Sequence, residues 1–144
     1  MYHSITFGEG SGEKNTWDDW KLIPSPPPIF APPKINTKFI QVPGTHGSLD
    51  LTEVFGSITY AERTGSWKFY MTDQDTNWLE QYSTILGFLH GKQMKAVLED
   101  DQAHYYIGRF SVAGRESGKN FSSITINYQV GPFRYTINGD QGSL

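Results

Sequence analysis

Apolar and polar residues alternate with a period of two along most of this chain, and recur every three to four along only one stretch. Residues 122–130 (SSITINYQV) show the first pattern without a fault. Ile124, Ile126, Tyr128 and Val130 fall on one face and Thr125, Asn127 and Gln129 on the other, the signature of a strand buried on one side. Residues 77–91 (NWLEQYSTILGFLHG) follow the other rule. Trp78, Tyr82, Ile85, Leu86 and Leu89 share one face of a helix. Asn77 is placed as its N-cap, with Glu80 three residues later as in a capping box. Gly91 suits the left-handed position that ends a helix.

The remaining pattern predicts strands joined by short turns. Residues 3–7 (HSITF) alternate, and 8–14 (GEGSGEK) read as a turn or hairpin tip. Residues 15–23 (NTWDDWKLI) read as a turn with its tryptophans tucked into the core. Residues 24–33 (PSPPPIFAPP) are barred from an interior strand, because proline lacks a backbone donor. They should run extended in polyproline II geometry. A stiff connector docked through Ile29 and Phe30, an arm laid on a neighbouring subunit and a ligand for an SH3-like domain are the readings open there. Residues 34–42 (KINTKFIQV) are rich in strand formers, and Pro43-Gly44 ends that run. Leu49 and Leu51 face one way in 48–52, and 54–60 form an apolar turn region. Trp67, Phe69 and Met71 alternate with Ser66, Lys68 and Tyr70. After the helix, 93–99 and 104–112 read as a hairpin about a polar turn. Residues 113–120 form a glycine-bearing loop, 133–137 a last short strand, and 138–144 a frayed tail. Seven or eight strands and one helix follow. Short connections favour antiparallel pairing. The expected fold is mostly β: an antiparallel β-sandwich or split barrel with a single flanking α-helix.

Composition narrows the function. The 144 residues suit one domain, able to bury a core without staples. No cysteine is present, which excludes a disulfide scaffold and thiolate zinc sites. No apolar run approaches a membrane span, and the N-terminus lacks the pattern of a secretory signal. Lys and Arg number 12 against 15 Asp and Glu, a net charge of −3, which argues against a protein built to grip nucleic acid. Four Trp, eight Tyr and nine Phe are more than ordinary strands need, and aromatic residues enrich interfaces.

Candidate chemistry is sparse. The loop at 8–14 lacks the spacing of a phosphate-binding loop and its Lys-Ser/Thr. Asp18 and Asp19 are adjacent and point to opposite faces of an extended chain, so they do not converge on one metal or bond. His46, Ser48 and Asp50 are close in sequence without the pattern of a nucleophile elbow. Glu99, Asp100, Asp101 and His104 lack the glycine and closing Glu of a calcium loop and read as a solvated turn. No cofactor or metal is expected.

Several stretches together resemble a known family. HSITFG at 3–8 is followed by NTWDDWKLIP at 15–24 and the proline connector. VPGTHGSLDLT at 42–52 and Arg63, Gly65 and Phe69 in an R-x-G-x-x-x-F element come next. LHGK at 89–92, MKAVLEDD at 94–101, YYIGRF at 105–110 and GPFRY at 131–135 complete the series. The order and spacing resemble the ring-forming N-terminal domain of the distal tail proteins of long-tailed bacteriophages and prophages, from about residue 3 to about residue 135. The resemblance implies a single domain over 1–144 with a fold like that of tail-tube proteins, and no catalytic residues. It implies self-association into a homohexameric ring at the tail tip, made in the host cytoplasm. That ring joins tail-tube protein to tip or baseplate proteins around a channel for DNA. No specific nucleic-acid binding and no membrane insertion are implied. Many members continue into a carbohydrate-module-like domain, whereas this sequence stops at Leu144.

Rings close by heterologous contacts between different patches of one chain, and stiff arms and loops supply such patches. The candidate interface residues are Pro26, Ile29, Phe30 and Pro32 on the connector, Pro43, His46 and Asp50 on the following loop, and Arg115 and Lys119 on the second glycine-bearing loop. The competing readings are a carbohydrate-binding β-sandwich module using exposed rings such as Tyr105 or Tyr106, and a small hydrolase built on His46, Ser48 and Asp50 with the Asp18–Asp19 pair.

Overall fold

Strand patterning dominates the molecule. The computed structural model describes residues 2–71, 78–117 and 122–144, with the backbone alone at 115–117. In chain order the strands are β1 (Ile5–Phe7), β2 (Lys14–Asn15), β3 (Leu22–Pro24), β4 (Phe39–Ile40), β5 (Leu49–Asp50) and β6 (Arg63–Met71). Helix α1 (Trp78–Leu89) follows, then β7 (Lys92–Leu98), β8 (Asp101–Ser117), β9 (Ser122–Val130) and β10 (Tyr135–Thr136). One antiparallel sheet runs in the order β2-β1-β7-β8-β9-β6-β3, with β10 paired to the start of β8. It curls into a half-barrel with the single helix, the mostly-β architecture expected. β4 and β5 form a separate two-stranded hairpin.

The curl is filled by alternate residues of the long strands. Trp67 and Phe69 of β6, Tyr106, Phe110 and Val112 of β8, and the four apolar positions of β9 all point inward. Phe110 is fully buried, with Phe7 at 4.9 Å edge-on and Trp67 at 6.1 Å. The helix adds Ile85 and Leu89, both wholly buried, while Trp78, Tyr82, Leu86 and Phe88 are half-buried against the same core. His90 N–H still bonds Leu86 O (3.0 Å), and Gly91 takes φ +76°, which glycine accepts without a Cβ clash. Its N–H then meets Phe110 O at 2.7 Å, stitching the helix end to β8. The capping assigned to Asn77 lies outside the described residues.

Four expectations change. First, β8 continues through the glycine-bearing stretch as far as Ser117. A register shift between Val112 and Gly114 absorbs the irregularity that reads as a loop. Second, residues 34–42 form strand only at Phe39–Ile40. Strand propensity is expressed on a surface to pack against, and the residues here are exposed. Third, of the two tryptophans in the 15–23 turn only Trp20 enters the core (3% exposed). Trp17 is half-buried, its ring stacked on Tyr2 at 3.8 Å. Fourth, the segment expected to fray turns back. Gln141 bridges Tyr135, Gly142 N–H bonds Arg134 O (2.7 Å), and Thr136 N–H bonds Asp140 O (2.8 Å).

Candidate interaction surfaces

Residues 25–33 form a strap across the end of β6 and β9. Prolines give it few backbone donors, so side chains of the sheet hold it. Trp67 Nε1 donates to Ile29 O (2.8 Å) and Arg63 donates to Ala31 O (3.3 Å). Ala31 N donates to the Tyr128 hydroxyl (2.7 Å). Gly65 makes room for this. A Cβ there would collide with the Tyr128 ring and hydroxyl. Phe30 is the strap's plug, 7% exposed, with its ring 4.0 Å from Tyr106 and 5.0 Å from both Trp67 and Tyr128. Of the connector's candidate contact residues, Phe30 is therefore spent on its own core. Pro26, Ile29 (71% exposed) and Pro32 remain at the surface. Beside the strap lies an apolar groove of about 590 Å³, lined by Pro26, Pro27, Ile29, Pro32, Trp67 and neighbouring residues.

Sequence reasoning missed Arg63. It is buried (6% exposed), its guanidinium 5.4 Å from the Tyr106 ring and bonded to the carbonyls of Ala31 and Pro132. The signal was its parity. Arg63 is in step with Trp67 and Phe69, so the alternation that buries them turns it inward too.

Past the strap, residues 35–60 form an arm. Its base is closed by the Ile35–Tyr60 bridge and by Ala61 N–H to Lys34 O (2.7 Å). Tyr60 rests edge-on against Phe133 at 6.0 Å. Beyond the base the apolar side chains face outward: Phe39 57%, Leu49 53%, Val54 57% and Phe55 91% exposed. Pro43 and His46 sit on the exposed loop between β4 and β5. Asp50 accepts hydrogen bonds from the hydroxyl and amide of Thr52, which hold its carboxyl below the usual range, the hydroxyl contributing most. Arg115 lies on β8, but its side chain, like the whole of Lys119, is outside the described residues.

The hydrolase candidates are not assembled. Asp50 is engaged by Thr52 on an exposed arm. Asp19 accepts the Asn15 N–H (2.8 Å), and Asn15 Oδ1 accepts from Trp17 and Asp18, so this pair belongs to a capped turn. The acidic turn between β7 and β8 is likewise occupied. Asp100 meets His3 Nδ1 at 2.8 Å, Glu99 accepts from both Ser4 groups, and Asp101 meets His104 at 2.9 Å and Arg134 at 3.0 Å. The turn thereby ties the chain's first strand to its last. Among the described residues no cluster of three or more His, Asp or Glu is arranged to hold a metal, and no helix is long and apolar enough to cross a membrane.

The sugar-stacking rings fare no better. Tyr106 is in the core at 8% exposure. Tyr105 is flanked by Tyr135, stacked at 5.5 Å, and by the Lys95 ammonium at 4.7 Å. What the surface does offer is an apolar arm and an apolar groove.

The sequence matches no protein-family model and no curated protein. Its fold is similar to that of the Dit protein of phage SPP1, described as a paradigm of the hub adsorption apparatus in phages that infect Gram-positive bacteria. The TM-score is 0.60 at 14% identity, over 92% of this chain. This chain spans about half (52%) of the SPP1 protein's length, and the likeness is one of overall fold.

Proposed function

We propose that this chain is a structural component of the distal end of a phage tail. In this reading its single domain assembles with copies of itself into a ring, a hexamer, that joins the tail tube to tip or baseplate proteins and leaves a channel for DNA. It acts in the virion, after synthesis in the host cytoplasm, and carries no catalytic centre. The observation that carries the reading is the fold similarity to SPP1 Dit over 92% of the chain. The motif series from residue 3 to 135 and the exposed arm support it. Large apolar side chains left in water on a projecting element mark an association surface.

Negative-stain imaging and light scattering test it. The expected result is a ring with a central hole, formed by the protein alone at high concentration or on addition of a cognate tube protein. A particle that stays monomeric under both conditions overturns the reading.

A further inference from the structure

Two polar cavities of the sheet differ in how far their side chains are already engaged. The one where β1, β2 and β7 meet, about 450 Å³, is bonded within itself. Asn15 Nδ2 donates to the Ser4 and Thr6 hydroxyls (3.2 and 3.0 Å), and the Ser4 hydroxyl donates to Glu99 (2.7 Å). The other, about 310 Å³, lies over β8 and β9. Its polar groups follow from register. Phe110 and Val112 turn into the core, so Arg109 and Ser111 turn to the outer face. Arg109 pairs with Gln129, which pairs in turn with Thr64, and Ser111 pairs with Asn127. Residues directly opposite on neighbouring strands stand about 4.5–5.5 Å apart at Cβ. Three strands thus bring these side chains to one place.

Arg109 is held in advance. Its Nη1 donates to Gly91 O at 3.1 Å, which anchors the guanidinium, while Nε and Nη2 make no hydrogen bond among the described residues. Nor do the Ser111 and Thr64 hydroxyls or the Asn127 amide. No Asp or Glu lines this cavity. An anchored guanidinium fork with hydroxyl and amide donors beside it suits an anion with several acceptor oxygens. A carboxylate has two oxygens in one plane, and the fork alone occupies both. The tetrahedral oxygens of a phosphate reach the fork and the Ser111 and Asn127 donors together. We propose that the Arg109–Ser111–Asn127 cavity on the outer face of the sheet binds a phosphate group, free or in diester linkage. Thr64 and Gln129 form the far wall, where the substituent of a diester lies. The site is complete in one copy of the chain, so it stands apart from the ring reading. Glu62 limits its affinity. That carboxylate accepts from the Gln129 amide and lines the adjoining cavity, which Arg109 shares.

NMR of the full-length labelled chain at fixed ionic strength tests the site. Inorganic phosphate, diethyl phosphate and acetate are titrated in turn. The expected result is a saturable shift of the Arg109 Nε–H and the Asn127 side-chain amide at millimolar phosphate, with acetate far weaker. The same shifts with diethyl phosphate assign the site to a phosphodiester, and shifts with inorganic phosphate alone assign it to the free ion. Arg109→Gln should lower the affinity about tenfold or more. Glu62→Gln should raise it about two- to fivefold, by removing the nearby like charge. Lys95→Gln, which removes a cation bonded to Glu9 instead, should leave it unchanged. Asn127→Ala is a second lowering variant that leaves the Arg109–Gly91 bond in place. Acetate binding as tightly as phosphate overturns the proposal. So do shifts that never saturate, and an affinity that survives both Arg109→Gln and Asn127→Ala.

Discussion

The half-barrel body and the arm are built from similar residues and end in opposite states. Phe69 and Phe110 in the body are fully buried, while Phe39 and Phe55 in the arm are 57% and 91% exposed. Both regions have apolar residues in an extended backbone. The difference lies in what each strand finds beside it. β6, β8 and β9 stack register on register, and each supplies the others with both hydrogen bonds and a surface to bury against. β4 and β5 find only each other, over two residues apiece. An isolated two-stranded hairpin buries little and is marginal by itself. The body thus satisfies its own sequence, and the arm leaves its large apolar side chains exposed.

The sharpest way to break this contrast is to make the body as poorly filled as the arm. Phe110→Ala removes a ring packed against Phe7 and Trp67. The cavity should lower the unfolding free energy by about 3–5 kcal/mol, read by urea denaturation. A loss below about 1 kcal/mol would mean that the core relaxes around the gap and is not the rigid counterpart of the arm.

The body was legible in the sequence because burial on one face leaves a period of two, and the helix because it leaves a period of three to four. Ile124 to Val130 and Ile85 with Leu89 sit where those periods put them. The arm was not legible for the same physical reason. Residues 34–42 have a strand's composition, and composition does not say whether a strand has a sheet to join. Of the candidate contact residues, Pro26, Ile29, Pro32, Pro43, His46 and Asp50 are at the surface, but Phe30 is not. A Phe between prolines reads equally well as a plug or as a contact. Arg63 was legible by parity and overlooked because buried charge is rare.

A second, smaller effect probes the joint between the two regions. Gly65→Ala puts a methyl group into the Tyr128 ring. The ring must move, and the Ala31 N–H loses its hydroxyl acceptor. The expected loss is about 1–3 kcal/mol. Tyr128→Phe removes only the acceptor and should cost about 1–3 kcal/mol, the desolvation penalty of an unmet donor. Because both changes act on one contact, their combination should cost less than the sum. Additive losses would separate the strap's anchoring from the packing at Gly65.

A smaller effect still concerns the body's other seam, where β1 meets the β7–β8 turn. Glu99 accepts from the Ser4 hydroxyl (2.7 Å) and amide (3.1 Å). The hydroxyl first, then the amide, hold its carboxyl below the ordinary value of 4.5. A carboxyl depressed in the folded state stabilises the fold fully above its unfolded pKa, and the benefit fades as pH falls through the folded value. Glu99→Gln should therefore be less stable than the parent at pH 7, with the gap closing below pH 4.5. Thermal unfolding midpoints across pH measure it. A gap that persists unchanged in acid would assign the loss to packing, not charge.

The smallest expected effect on folding is the one that most sharpens the contrast. Phe55 is 91% exposed, touched chiefly by the Lys38 ammonium 5.8 Å from its ring. If the arm owes the body nothing, Phe55→Ser should change the unfolding free energy by no more than about 0.5 kcal/mol. The same change should weaken self-association, because an apolar side chain held in water is of use only once something covers it. Denaturation of dilute protein and light scattering of concentrated protein read the two quantities separately. A variant that unfolds more easily and associates normally would show that the arm packs on its own body in solution. The division between a self-sufficient half-barrel and an arm awaiting a partner would then fail at its most exposed residue.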